Sequence, residues 1–234
     1  MSAFFPMPDG CRLHYRLDGT PGQPWLVLLN GLLSDTTSWT GAVNRLRERF
    51  RILVFDSRGQ GRSDAPDMPY TVAQRAEDAR LLMAALGVTR PWLSGLSNGA
   101  AVGLELLAAA PGTFAGAVLV SAAPGVDFAM ELKLRHWLDC LERGGPRMQF
   151  DAVAPFLWGD RFLERRYDVL RSYHATLMAG GGPTEGPDAF RGARNQILGA
   201  LASGFRTELE AIREPLLLIS GAEDLLTPPW KAME

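Results

Sequence analysis

The pentapeptide Gly95-Leu96-Ser97-Asn98-Gly99 has the residue types and spacing from which chemistry can be argued. A short run before it, Trp92-Leu93-Ser94, reads as a buried strand. From Asn98 the pattern turns helical, with Ala101, Leu104, Leu106 and Leu107 ahead of a stop at Pro111-Gly112. A serine at such a junction sits on a sharp strand-to-helix turn. A side chain two residues to either side would collide with that backbone, and glycine at 95 and 99 removes both collisions. The turn lifts the Ser97 hydroxyl above the carboxyl edge of the sheet. It also aims the first amides of the helix at the point where an oxyanion would develop. The chemistry predicted is nucleophilic attack on a carbonyl. A chance match among 25 glycines would lack the flanking strand and small-residue helix.

Around this turn, strands and helices alternate. Residues 3–18 read as an antiparallel hairpin turning at Asp9-Gly10, with His14 in its second strand in a structural role. Trp25-Leu26-Val27-Leu28-Leu29 is apolar throughout, as in a strand covered on both faces, and ends at Asn30-Gly31-Leu32-Leu33-Ser34-Asp35. A helix with Trp39, Val43 and Leu46 on one face precedes the strand Ile52-Leu53-Val54-Phe55. The glycine-punctuated loop that follows begins at Asp56, placed to cap local amides. Thr71 and Gln74 read as a capping box, Val72, Ala76, Ala79, Met83 and Leu86 as the buried stripe of the next helix, and Gly87 as its C-cap. With a further strand at 117–120, the alternation predicts right-handed βαβ units and a mainly parallel sheet.

After Ser121 the rhythm changes. Residues 125–205 show helical spacing only, enough for about four helices, with a break at Gly180-Gly181-Gly182-Pro183. Alternation resumes with Leu216-Leu217-Leu218-Ile219 and the loop holding Asp224, and Pro228-Pro229 opens a final helix. The expected organisation is a core in two parts, residues 1–122 and 209–234, with a helical cap, residues 123–208, over the sheet edge. Leu33, Trp137, Phe156 and Trp158 are the candidate lining of an apolar pocket beneath the cap.

A chain of 234 residues can bury one sizeable α/β core. A formal net charge of −2 gives no electrostatic footprint for nucleic acid, and no apolar stretch is long enough to span a membrane. The N-terminus has no secretory pattern. The two cysteines, Cys11 and Cys140, form no metal motif and fit free thiols in a cytoplasmic protein. No metal or organic cofactor is implied.

In order along the chain, Asn30-Gly31, the Asp56–Ser63 loop, the Ser97 turn and the Gly221–Pro228 segment with Asp224 resemble the α/β-hydrolase superfamily over essentially the whole chain. The likeness is greatest to the branch of 3-oxoadipate enol-lactonases, related esterases and cofactor-free haloperoxidases. The Asn30–Trp39 stretch is also similar to hydroxyacyl-transferring members. The resemblance implies that Ser97 is the nucleophile and Asp224 the acid that orients a histidine. The amides of Asn98 and Leu32 would form the oxyanion hole, with Leu33 as the fallback donor. On the residues alone, Asn30-Gly31 also reads as a tight turn and Asp224 as a solvated loop carboxylate. The implied activity is hydrolysis of a small apolar ester or lactone through an acyl-enzyme. Thioester hydrolysis or hydroxyacyl transfer on the same residues is the enzymatic alternative, and a catalytically silent ligand-binding protein the non-enzymatic one. Haloalkane dehalogenase and epoxide hydrolase are disfavoured, since both need a carboxylate where Ser97 stands.

The superfamily order is nucleophile, acid, histidine. The three histidines here, His14, His136 and His174, all precede Asp224. His136 and His174 fall in the cap and neither is expected to bridge Ser97 and Asp224. The sequence-based expectation is therefore a shortened form of a longer hydrolase, lacking one strand, one helix and the catalytic histidine. It should be nearly inactive, with the apolar strand 216–219 left as a sheet edge open to pairing with another chain, possible homo-oligomers included.

Overall fold

The protein is described by a computed structural model covering residues 2–179, 190–203 and 209–233. Seven strands form one sheet: β1 (Ser2–Pro6), β2 (Arg12–Asp18), β3 (Trp25–Leu29), β4 (Arg51–Phe55), β5 (Trp92–Leu96), β6 (Gly116–Val120) and β7 (Leu216–Ile219), in the order β1-β2-β4-β3-β5-β6-β7. The expected hairpin forms, with Ser2 opposite Arg16 and Pro6 opposite Arg12, and β2 also pairs antiparallel with β4. Every other pairing is parallel. Gly10 takes the left-handed conformation the hairpin turn requires, at φ +86°.

Side chains of β3 and β4 alternate between two cores. Val27, Leu29, Leu53 and Phe55 pack with α2 (Val72–Ala85) and α3 (Asn98–Ala109). Leu26, Leu28, Ile52 and Val54 pack with Val43 of α1 (Thr40–Leu46) on the other face. Coverage on both faces is the physical reason these strands are uninterrupted apolar runs. β7 is the last strand in the order, and its four residues are 38–55% exposed.

α2 departs from the expected capping box. The Thr71 hydroxyl accepts from the Gln74 amide at 3.2 Å, but the Gln74 side chain donates forward to Asp78 instead of back to Thr71. Asp78 is fully buried against Arg58, which donates to it through two nitrogens at 2.7 Å each and to Asp9 at 2.9 Å. Burial opposes the Arg58 charge, but the hydrogen bonds and charge of Asp78 outweigh it and hold the guanidinium protonated above its ordinary range. A carboxylate in that setting is a stronger acceptor for Gln74 than any backbone group.

Between β6 and β7 the described residues contain helices and no strand. These are α4 (Phe128–Leu157), broken at Gly145 with φ +67°, α5 (Asp160–Ala179) and α6 (Arg191–Leu201). Counting the break, they are the four helical segments expected. The break predicted at 180–183 lies outside the described residues. The cap has its own core, in which Met130, Leu134, Trp137, Val153 and Ile197 meet Leu32 and Leu33 from the loop after β3. The final segment is a 3-10 turn, Pro229–Ala232, where a helix was expected.

A tight backbone approach lies under the first turn of α3. A Cβ on Gly99 would strike the carbonyl oxygens of Leu29 and Asn30, and one on Gly95 would lie 2.5 Å from the Gly99 oxygen. Gly99→Ala is expected to lower stability by about 3 kcal/mol or more, because the obstacles are backbone atoms. Gly41→Ala, in an open position of α1, should be neutral or stabilising by up to about 1 kcal/mol. Urea denaturation midpoints of the two variants check this. Equal midpoints would show that the α3 turn yields.

Candidate active site

Ser97 joins β5 to α3 with φ +54° and ψ −116°, a conformation costly for a residue with a side chain. Its amide is anchored to the Val120 carbonyl at 2.8 Å, and its own carbonyl accepts from the Ala100 and Ala101 amides. The strain is thus held from both sides. The Asn98 amide belongs to the first turn of α3, whose donors have no intrahelical acceptor.

The loop after β3 is fixed by buried side-chain amides. Asn30 donates to the Phe55 carbonyl and Gln60 Oε1 and accepts from Trp39 Nε1 at 2.8 Å, so its side chain is fully committed to architecture. Gln60 Nε2 donates to the Gly31 carbonyl and to Gln196 Oε1. Gln196, on α6 of the cap, accepts from the Leu33 amide at 3.0 Å and donates to the Gly59 carbonyl at 2.7 Å. Leu33 is therefore engaged as a donor, which leaves Leu32 as the amide this loop offers beside Ser97. Leu33 itself takes φ +55°.

Asp224 follows β7. Its Oδ1 accepts from the Leu226 and Thr227 amides at 2.9 and 2.7 Å, and its Oδ2 from the Thr227 hydroxyl at 2.8 Å. The carboxylate is oriented and lines the same cavity as Ser97. That cavity, about 310 Å³, lies between the Ser97 turn and the cap, and Leu33, Trp137 and Trp158 are in its wall. Phe156 is not. It packs behind Trp137, ring centroids 6.3 Å apart, with Lys133 Nζ 5.1 Å from its own ring. Two residues further on and just past the end of α4, Trp158 lines the cavity where Phe156 packs against the cap's own core. A second cavity, about 450 Å³, meets the first at Leu32, Ser97 and Ser121.

The histidines divide as follows. His14 is buried, with Nδ1 2.7 Å from Asp56 Oδ2 and Nε2 2.9 Å from Ser2 Oγ, in the structural role expected. Asp56 also accepts from the Thr36 and Arg62 amides, as a local cap. His136 is exposed on the cap, 3.7 Å from Cys140 Sγ. His174, on α5, is in the wall of the Ser97 cavity, only 7% exposed. Its ring lies 5.2 Å from Phe150, and neither ring nitrogen has a hydrogen-bond partner among the described residues. No histidine joins Ser97 to Asp224. The cavity-facing position of His174 was readable from its spacing with Tyr167, Leu170 and Leu177 along one helical face. The Gln60–Gln196 and Arg58–Asp78 pairs had no such signal. Among the described residues no cluster of His, Cys, Asp and Glu is arranged to hold a metal.

Comparison with known proteins places this geometry. A family model described as the alpha/beta hydrolase fold matches residues 24–234. RutD of Caulobacter vibrioides, a proposed carbamate hydrolase, is 29% identical over 219 residues, covering 92% of this chain and 79% of that protein. A hydrolase from Pseudomonas aeruginosa PA01 superposes with a TM-score of 0.85 at 27% identity, covering 99% of this chain and 84% of that one. The enol-lactonase from Burkholderia xenovorans LB400 does so with a TM-score of 0.82 at 28% identity, covering 99% and 85%.

Burial pushes His174 down from its ordinary 6.5 to about 4. Above pH 6.5 the ring is neutral whether the chain is folded or not, and it costs nothing. Below that the unfolded chain takes up a proton that the folded one refuses, so stability falls as pH drops from 6.5 towards 4. The expected loss between pH 7 and 4.5 is roughly 2 kcal/mol from this group. His174→Phe should be flatter by that amount in urea denaturation at the two pH values. Identical slopes for both proteins would refute the burial of a neutral ring.

Proposed function

Because the chain belongs to the α/β-hydrolase fold family, we propose that it is built as a serine hydrolase for a small ester, lactone or related acyl compound, acting through an acyl-enzyme on Ser97. The observation that carries this reading is the left-handed Ser97, anchored between β5 and α3 at the meeting point of two cavities. A protein that only bound a ligand would have no use for that strain. Ser97 Oγ attacks the carbonyl carbon, and the Asn98 and Leu32 amides take the oxyanion. Collapse expels the alcohol, and water then releases the acid. In this reading residues 123–208 are the cap, between core segments 1–122 and 209–234. The buried free thiols of Cys11 and Cys140 fit a cytoplasmic setting.

Deprotonating Ser97 requires a base. Asp224 is oriented to hold an imidazole, yet none of the three histidines lies between it and Ser97. The 234 residues alone are therefore expected to turn over slowly. Acyl transfer to an acceptor other than water is the second reading, and the second cavity at Ser97 is the observation that favours it.

Free imidazole supplied in solution should restore part of the missing step. With a p-nitrophenyl ester and imidazole, turnover by the wild-type chain is expected to exceed that of Ser97→Ala by at least about tenfold, since a triad member normally contributes far more than that. Asp224→Asn should lower the rescue. Equal rates for wild type and Ser97→Ala would remove Ser97 as the nucleophile.

A further inference from the structure

The hydroxyl–imidazole–carboxylate series that Ser97 does not complete is present on the first two strands. Ser2 stands opposite Arg16 and Phe4 opposite His14, so strand alternation puts Ser2 and His14 on one face as diagonal neighbours. Ser2 Oγ lies 2.9 Å from His14 Nε2, and His14 Nδ1 lies 2.7 Å from Asp56 Oδ2. The partners fix the tautomer. Arg62 Nη1, 3.3 Å from the same Nε2, can only donate, so Nε2 holds the lone pair. Asp56, which already takes the Thr36 and Arg62 amides, accepts the Nδ1 proton. Ser2 therefore donates to an imidazole that a carboxylate orients, the arrangement that activates a nucleophile. Holding the hairpin to the loop after β4 needs the His14–Asp56 bond and the bond from the His14 amide to Ser63 Oγ. It does not need Ser2, which is exposed on the outermost strand while the ring itself is only 2% exposed.

We propose that Ser2 is a second nucleophile, an acylation site that takes an acyl group from an activated ester or thioester arriving from solvent. Ser2 Oγ attacks the carbonyl carbon, and its proton passes to His14 Nε2. The tetrahedral intermediate collapses. The bond from carbon to the leaving oxygen or sulfur breaks with its electron pair, and His14 returns the proton to that atom. The products are an ester on Ser2 and a free alcohol or thiol, with no change of oxidation state. Arg62 stands at the same ring nitrogen, its guanidinium 5.3 Å over the Phe4 ring, and brings positive charge to the oxyanion. One guanidinium does less than a pair of aimed amides, which restricts the site to good leaving groups. Acylated Ser2 no longer donates to Nε2, and it covers the way from the ring to solvent. Water is then not activated there, and the ester persists. Ser2 is thus modified once instead of turning over, and the proposal is independent of the reading at Ser97.

The test treats the full Ser97→Ala chain with p-nitrophenyl acetate, quenches in acid and locates acetyl groups by peptide mass spectrometry. Hydroxylamine cleaves esters and spares amides, so it separates acetyl on Ser2 Oγ from acetyl on amino groups. Ser38 and Ser172 are references within the same chain. Both are exposed, but their hydroxyls meet Tyr173 and the Asp168 carbonyl instead of an imidazole. Hydroxylamine-sensitive acetyl is expected at Ser2 at least about tenfold faster than at either reference. His14→Gln keeps a polar side chain but no base, and should bring Ser2 to within about threefold of the references. Circular dichroism checks that this variant folds. Labelling of the His14 chain in denaturing urea, where Ser2 and His14 part, needs no substitution and should abolish the preference equally. Similar rates at the three serines, acetyl confined to hydroxylamine-resistant sites, or a preference that survives both His14→Gln and urea overturns the proposal.

Discussion

The contact on which the rest of this molecule depends is the approach of the first turn of α3 to the end of β3. Backbone meets backbone there, and glycine at 95 and 99 is what lets it happen. With α3 that close to the sheet, the chain leaving β5 has no room for an ordinary turn, and Ser97 is forced to positive φ. The same approach brings Leu32, in the loop leaving β3, beside Ser97 at the wall of both cavities. The site is thus a by-product of packing a helix end onto a strand end. Its strain is balanced by hydrogen bonds made elsewhere, chiefly Ser97 to Val120 across to β6.

What could be read from the sequence was what is local. The Ser97 turn, the hairpin at Gly10, the Gly87 cap and the apolar runs of β3 and β4 are each fixed by residues within a few positions of one another. The mainly parallel pairing followed from the strand–helix alternation, whereas the strand order became visible only in the structure. What could not be read joins distant positions. Gln196 and Gln60 are 136 residues apart, and Arg58 and Asp78 meet only because the loop after β4 folds under α2. Arg75 and Asp78 on α2 are buried although charged, and neither belongs to the apolar stripe that the sequence shows. Gln74 illustrates the same limit: its local signal pointed back to Thr71, and a carboxylate placed by tertiary structure won. Phe156 and Trp158 carried indistinguishable signals, because neighbouring aromatic residues on one helix end diverge only once its packing partner is known.

The polar layer under the cap does a different job from the apolar cores. Asn30, Gln60 and Gln196 satisfy one another and five backbone carbonyls or amides without carrying charge. Such a layer adds little net stability, since each bond replaces one to water. It does fix direction. Apolar contacts between the cap and Leu32 and Leu33 tolerate sliding, whereas a planar amide bonded on both edges does not.

Gln196 therefore works as an interlock. Any motion that carries α6 away from the sheet must break its bonds to the Leu33 amide, the Gly59 carbonyl and Gln60 together. Raising the cap to admit a molecule and releasing the loop that presents the Leu32 amide are then one event, not two. In the proposed reading, a carbonyl that reaches Ser97 under a raised cap would find the Leu32 amide out of place. Fidelity of timing, ordinarily ascribed to large moving parts, rests here on one carboxamide.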